Sequence, residues 1–157
     1  FVVETNVHFP TDTNLLFDAI RKAIQTSADL SEAHGLAGWR QSAYNIRQFK
    51  RSYRIIQQLR RSNSKSEDKR QAKCIEIEEA HQAYLEQAED YLGRARNTRV
   101  RLELGCGVPP LVLGALDHYI AHGELWVNQI RRRVLLGETI PHQEKVFSLF
   151  EPHTEWI

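Results

Sequence analysis

The stretch Cys74-Ile-Glu-Ile-Glu-Glu-Ala-His81-Gln-Ala-Tyr84-Leu-Glu-Gln-Ala88-Glu-Asp-Tyr91-Leu-Gly-Arg-Ala95-Arg-Asn-Thr98-Arg-Val-Arg-Leu102 decides the fold class. Cys74, Ile77, His81, Tyr84, Ala88, Tyr91, Ala95, Thr98 and Leu102 recur in alternating steps of three and four, and Leu85 and Leu92 widen the same face. Only a helix puts that spacing on one side, so the run predicts one long helix from about Glu67 to Leu104. Its seam of small and polar residues, His81, Ala88, Ala95 and Thr98, suits packing inside one chain better than a coiled coil between chains.

On the N-terminal side, Trp39, Ile46 and Tyr53 recur every seven residues, with Phe49 and Ile56 between them. They predict a helix from about Trp39 to Arg61, with Trp39, Phe49 and Tyr53 in the core. Across the polar turn Ser62–Ser66 it forms an antiparallel hairpin with the long helix. Further back, Leu15, Leu16, Ala19, Ile20, Ala23 and Ile24 predict a helix capped by Thr11 or Asp12 and ending near Ser27, before a break between Ser31 and Gly38. On the C-terminal side, Gly105-Cys-Gly-Val-Pro-Pro110 stops the long helix. A fourth helix is expected from about Leu111 to Leu136, with Leu113, Leu116, Ile120, Val127, Ile130 and Val134 inward and Gly137 and Pro141 ending it. Short strands are expected at residues 1–9, which alternate around β-branched Val, and at Lys145–Phe150. The expected fold is mainly α: an antiparallel helical bundle, residues 12–136, between strand regions 1–9 and 145–157.

The 157 residues suit one domain, and no apolar run reaches the roughly 18–20 residues that span a bilayer. The absence of Met fits a piece of a longer product. Cys74 and Cys106 have no pairing motif and read as reduced cytosolic thiols.

A net charge of +1 hides strong segregation. From Arg40 to Lys73 there are eleven Lys or Arg against two acids, Glu67 and Asp68, whereas Glu76–Asp90 carries six acids and no Lys or Arg. Arg47, Lys50, Arg51 and Arg54 are three or four apart and share a helix face, with Arg60 and Arg61 beyond them. Such a ridge can neutralise DNA phosphates, with salt-dependent affinity. The same charges can instead only solvate the helix or pair with the acidic stretch. Arg131-Arg-Arg133 is a second basic cluster, also suited to a helix C-terminus.

Other motifs are weaker. Val100-Arg-Leu-Glu-Leu-Gly-Cys-Gly107 with Glu124 looks like the glycine-rich motif of S-adenosylmethionine-dependent methyltransferases, but helical pattern precedes it and too few βα units follow. The glycines read better as a helix stop. His118 and His122 stand four apart without a third metal ligand. Glu151-Pro-His153 with Glu155 is a polar cluster that spacing alone does not assign. Neither a nucleophile elbow nor a phosphate-binding loop is present.

Three blocks resemble transposases of bacterial ISNCY-type insertion sequences. They are Val2-Val-Glu-Thr-Asn-Val-His-Phe-Pro-Thr-Asp12 with Leu15, Leu16 and Asp18; Gly137-Glu-Thr-Ile-Pro141 with Glu144 and Lys145; and Ser148-Leu-Phe-Glu-Pro-His-Thr-Glu-Trp-Ile157. The helical middle is similar mainly in character. The resemblance implies a DDE enzyme with an RNase H-like core, in which two Mg²⁺ held by three carboxylates drive in-line displacement on DNA. The first catalytic Asp would stand two residues before Phe1, and the other two acids after Ile157. The resemblance therefore assigns no catalytic residue and no metal ligand to this chain, and Mg²⁺ belongs to the full-length parent. Glu4 fits the family pattern, as a residue near the metal-binding acids or as a sheet-edge Glu. The helical block becomes an insertion between the first and second acids, where it holds DNA (the transposon ends) or mediates homo-oligomer assembly in the bacterial cytoplasm. The alternative is a free-standing helical protein-interaction module.

Overall fold

The computed structural model describes residues 11–61 and 66–137. They form four helices: α1 Asp12–Ala33, α2 Ser42–Arg61, α3 Glu67–Val100 and α4 Gly114–Ile130. α3 and α4 each run on into one widened π turn, Arg101–Gly105 and Arg131–Leu135. The described residues contain no strand. The strands expected at 1–9 and 145–150 lie outside the described residues, as does the whole of the 145–157 region with its family-like block.

The helix ends follow local chemistry. Thr11 is the N-cap of α1, its hydroxyl accepting from the Asn14 N–H at 3.2 Å. α1 passes the stop expected near Ser27 and continues to Ala33. Ser27 and Ser31 are buried and tolerated within the helix. What ends it is Gly35 at φ +73°, where the Leu36 N–H reaches the Ser31 carbonyl at 2.8 Å and the Gly35 N–H reaches Glu32. That pair of bonds is a Schellman ending, and the left-handed residue it needs is cheapest as Gly. α2 starts at Ser42 rather than Trp39. Trp39 stays in the preceding turn because its indole is held elsewhere, donating to Thr98 Oγ1 at 2.8 Å under the Arg94 guanidinium. Gly107 at φ +69° closes the end of α3, with Val108 N–H on the Leu102 carbonyl at 3.0 Å. The glycines of the methyltransferase-like motif therefore act as a helix stop.

Cross-helix contacts fix the topology. Trp39–Thr98, Ser52–Gln87 and Phe49–Tyr84 make α2 and α3 antiparallel. Tyr53–Asn14 and Phe17–Phe49 make α1 and α2 antiparallel, and Arg96–Glu124 with Arg99–Asp117 does the same for α3 and α4. Tyr84 donates to the Thr13 carbonyl at one end, while Leu30 packs with Leu102 at the other, so α1 and α3 run parallel. The result is an up-down-up-down four-helix bundle.

The core follows the predicted stripes. Leu16, Ile20 and Ile24 of α1, Phe49 and Ile56 of α2, Tyr84, Leu85 and Leu92 of α3, and Leu116, Val127 and Ile130 of α4 are buried, and Trp126 of α4 joins them from outside the expected stripe. Phe17, Phe49, Tyr53 and Tyr84 stack in one layer, Phe49 and Tyr84 at 4.5 Å between ring centroids. Gly123 lets α4 approach α3: a Cβ there would stand 2.7 Å from Leu92 Cδ2. The seam of α3 is buried from His81 onward, but Cys74 is exposed and Ile77 only half-buried. α1 begins beside Tyr84, so its stripe offers nothing for the first turns of α3 to pack against.

Candidate nucleic-acid interface

α2 is held by one side. Phe49 and Ile56 are buried, and Ile46 and Tyr53 pack against the same core. Helical geometry then turns Arg47, Lys50, Arg51 and Arg54 to the outside, and all four are exposed. Arg61, seven residues after Arg54, continues the line and is exposed as well. α2 has no acidic residue to interrupt it. Arg60 is exposed but stands off the ridge, two turns after Tyr53 on the inner side, where its charge is felt by Tyr53 and His81.

The ridge is not neutralised by the acidic stretch of α3. Glu76, Glu78, Glu79, Glu86, Glu89 and Asp90 are exposed on α3. Among the described residues, no ion pair joins them to Arg47, Lys50, Arg51, Arg54 or Arg61. Glu89 pairs instead with Arg131, at 2.9 Å. The register explains this: the two helices meet through apolar seams, which turn the cations of one and the acids of the other outward. The α2 seam, and the α3 seam from His81 onward, are thereby used inside the bundle.

The second basic cluster does structural work. Arg133 makes a two-pronged ion pair with Asp12, Nε to Oδ2 at 2.6 Å and Nη2 to Oδ1 at 2.7 Å, and the Asp12 side chain is only 7% exposed. This pair joins residues 121 apart and fastens the start of α1 to the end of α4. No spacing rule foretells it. At the other end, Arg99 reaches both Asp117 and Glu103.

The described histidines include one close pair. His118 and His122 lie 4.1 Å apart by ring centroid, and burial, then the His118 charge, lowers the His122 pKa. No group of three or more His, Cys, Asp or Glu among the described residues is placed to hold a metal. His81 is 1% exposed; its Nδ1–H donates to the Ile77 carbonyl at 2.7 Å and its Nε2 has no partner. Burial is the main cause that lowers its pKa, with the nearby Arg133 and Arg60 charges adding to it. Cys74 and Cys106 are free and exposed. Glu4 and the Glu151, His153 and Glu155 cluster lie outside the described residues.

Among the described residues, no helix is long and apolar enough to cross a membrane. No family model, curated protein or solved structure matches this chain.

Proposed function

We propose that this chain is the helical insertion of a DDE transposase, and that its task is to hold DNA through the outer face of α2. The observation that carries the reading is the ridge Arg47, Lys50, Arg51 and Arg54: exposed, on a helix without acids, and joined by no ion pair to the acidic stretch on the next helix among the described residues. Cations left free in this way suit phosphates. The Arg133–Asp12 clamp supports the insertion reading, because it brings the two ends of the bundle together. A segment that leaves one strand of a sheet and returns to a neighbouring one needs that geometry. The apolar seams are used between the helices, which weighs against a free-standing module that pairs through them. Mg²⁺ chemistry and the three carboxylates would belong to the parent enzyme beyond this chain. Assembly of the parent into homo-oligomers on transposon ends is part of the same reading.

DNA mobility shifts test the site. The chain should retard a duplex at low salt and lose it as salt rises. Replacing Arg47, Lys50, Arg51 and Arg54 together by Glu should weaken binding by at least about 100-fold. A shift that survives that replacement sinks the assignment. Sequencing the coding DNA on both sides tests the transposase reading separately: it requires an in-frame Asp two residues before Phe1 and a further Asp and Glu downstream.

A further inference from the structure

We infer that the ridge is a track for the sugar–phosphate backbone of duplex DNA, with the duplex lying along α2 and no base read. This rests on the DNA-binding reading above and specifies its ligand. The first reason is the shape of the charge. Arg47, Lys50, Arg51, Arg54 and Arg61 form one line parallel to the helix axis, with the exposed Gln58 between the last two. From residue 47 to 61 the helix advances about 21 Å. Each strand advances about 3.4 Å of duplex axis per residue, so the line spans roughly six base pairs, past which the phosphates of both winding strands come within reach of long Arg and Lys side chains. A duplex crossing α2 at a right angle would meet one or two of these cations and leave the rest in water.

The second reason is what flanks the line. A helix seated in the major groove has a phosphate backbone on each shoulder and reads bases from its crest. An Arg crest can also read guanine edges, but a seated helix is held by cations on its shoulders, and here one shoulder carries Tyr44, Gln48 and Ile55 and the other Gln57. Backbone contact follows, without groove insertion. The third reason concerns single strands, whose binders stack bases on several aromatic rings. Tyr44, at 49%, is the one aromatic among the exposed large apolar side chains of the described residues. The aromatic layer of Phe17, Phe49, Tyr53 and Tyr84 faces inward.

The test is fluorescence anisotropy with the whole chain, two 20-base-pair duplexes of unrelated sequence and one single strand of equal length. Salt titration should give a log–log slope of about −4 to −5 for five phosphate contacts. Arg47→Ala and Arg61→Ala, at opposite ends of the line, should each reduce the slope by about one, equal to about threefold in affinity between 50 and 200 mM salt. The two duplexes should bind alike, and the single strand more weakly. Thermal melts should be nearly unchanged, since among the described residues neither side chain makes an ion pair. An effect of Arg47→Ala with none of Arg61→Ala, or the reverse, overturns the alignment along α2. A tenfold preference between the duplexes overturns backbone-only contact. Wild-type protein that binds no DNA overturns the DNA-binding reading and this inference together. Low-salt self-association that depends on the ridge, with no DNA affinity, would instead give the ridge to the acidic face of a second copy.

Discussion

Two arginine-rich segments look alike in the sequence and behave differently in the fold. In α2, Arg47, Arg51 and Arg54 project from a helix whose inner face alone is packed, and among the described residues they pair with no acid. At the end of α4, Arg131 and Arg133 turn onto neighbouring helices and meet Glu89 and Asp12. The difference lies in where each helix stands. α2 shows its charged side to water. The end of α4 lies against the start of α1 and the acidic side of α3. A cation with a carboxylate in reach becomes part of the scaffold, whereas one left exposed remains available to a ligand.

That contrast can be broken by changing the support of each segment. Phe49→Ala should have the largest effect. It empties the centre of the aromatic layer behind the ridge and should cost about 3–5 kcal/mol in urea unfolding. DNA binding should fall with it, although no cation is touched. If stability holds, α2 is not anchored by that layer. Arg133→Ala comes next, at about 1–2 kcal/mol, because it strands a nearly buried Asp12. Asp12→Ala should cost about as much, and the double variant little more than either alone. Unchanged stability in both would remove Arg133 from the scaffold class.

Acid should sharpen the contrast at the same end. Burial lowers the pKa of His81 below its ordinary 6.5, so the unfolded chain takes up the proton first. Stability should therefore fall as pH drops below about 6.5, and His81→Leu should flatten that part of the profile. A profile identical in the variant would mean that His81 does not titrate with unfolding. The smallest effect belongs to Arg131→Ala. Its pair with Glu89 is half-exposed and should contribute about 0.5 kcal/mol or less. A loss above about 1 kcal/mol would place this pair with the Arg133 clamp.

Much of the bundle was legible because helical periodicity is local. The stripe from Leu15 to Ile24, the Phe49 and Ile56 seam and the α3 face from His81 to Leu102 are buried as their spacing requires. The stops were less legible. α1 ends where Gly35, inside the expected break from Ser31 to Gly38, supplies a left-handed residue, past the stop expected near Ser27. Burial at Cys74 and Ile77 was expected from the same rhythm, but a stripe needs a partner helix, and α1 does not extend that far.

The sequence by itself determined that this chain makes amphipathic helices and that the cations of α2 share one face, since both properties follow from spacings of three, four and seven residues. Only the tertiary structure decided which charges are free. Whether Arg133 meets Asp12, or Arg51 meets Glu86, depends on how helices far apart in the chain are brought together and rotated. Packing of their apolar faces sets that rotation, and the charged side chains pair with whatever it places within reach.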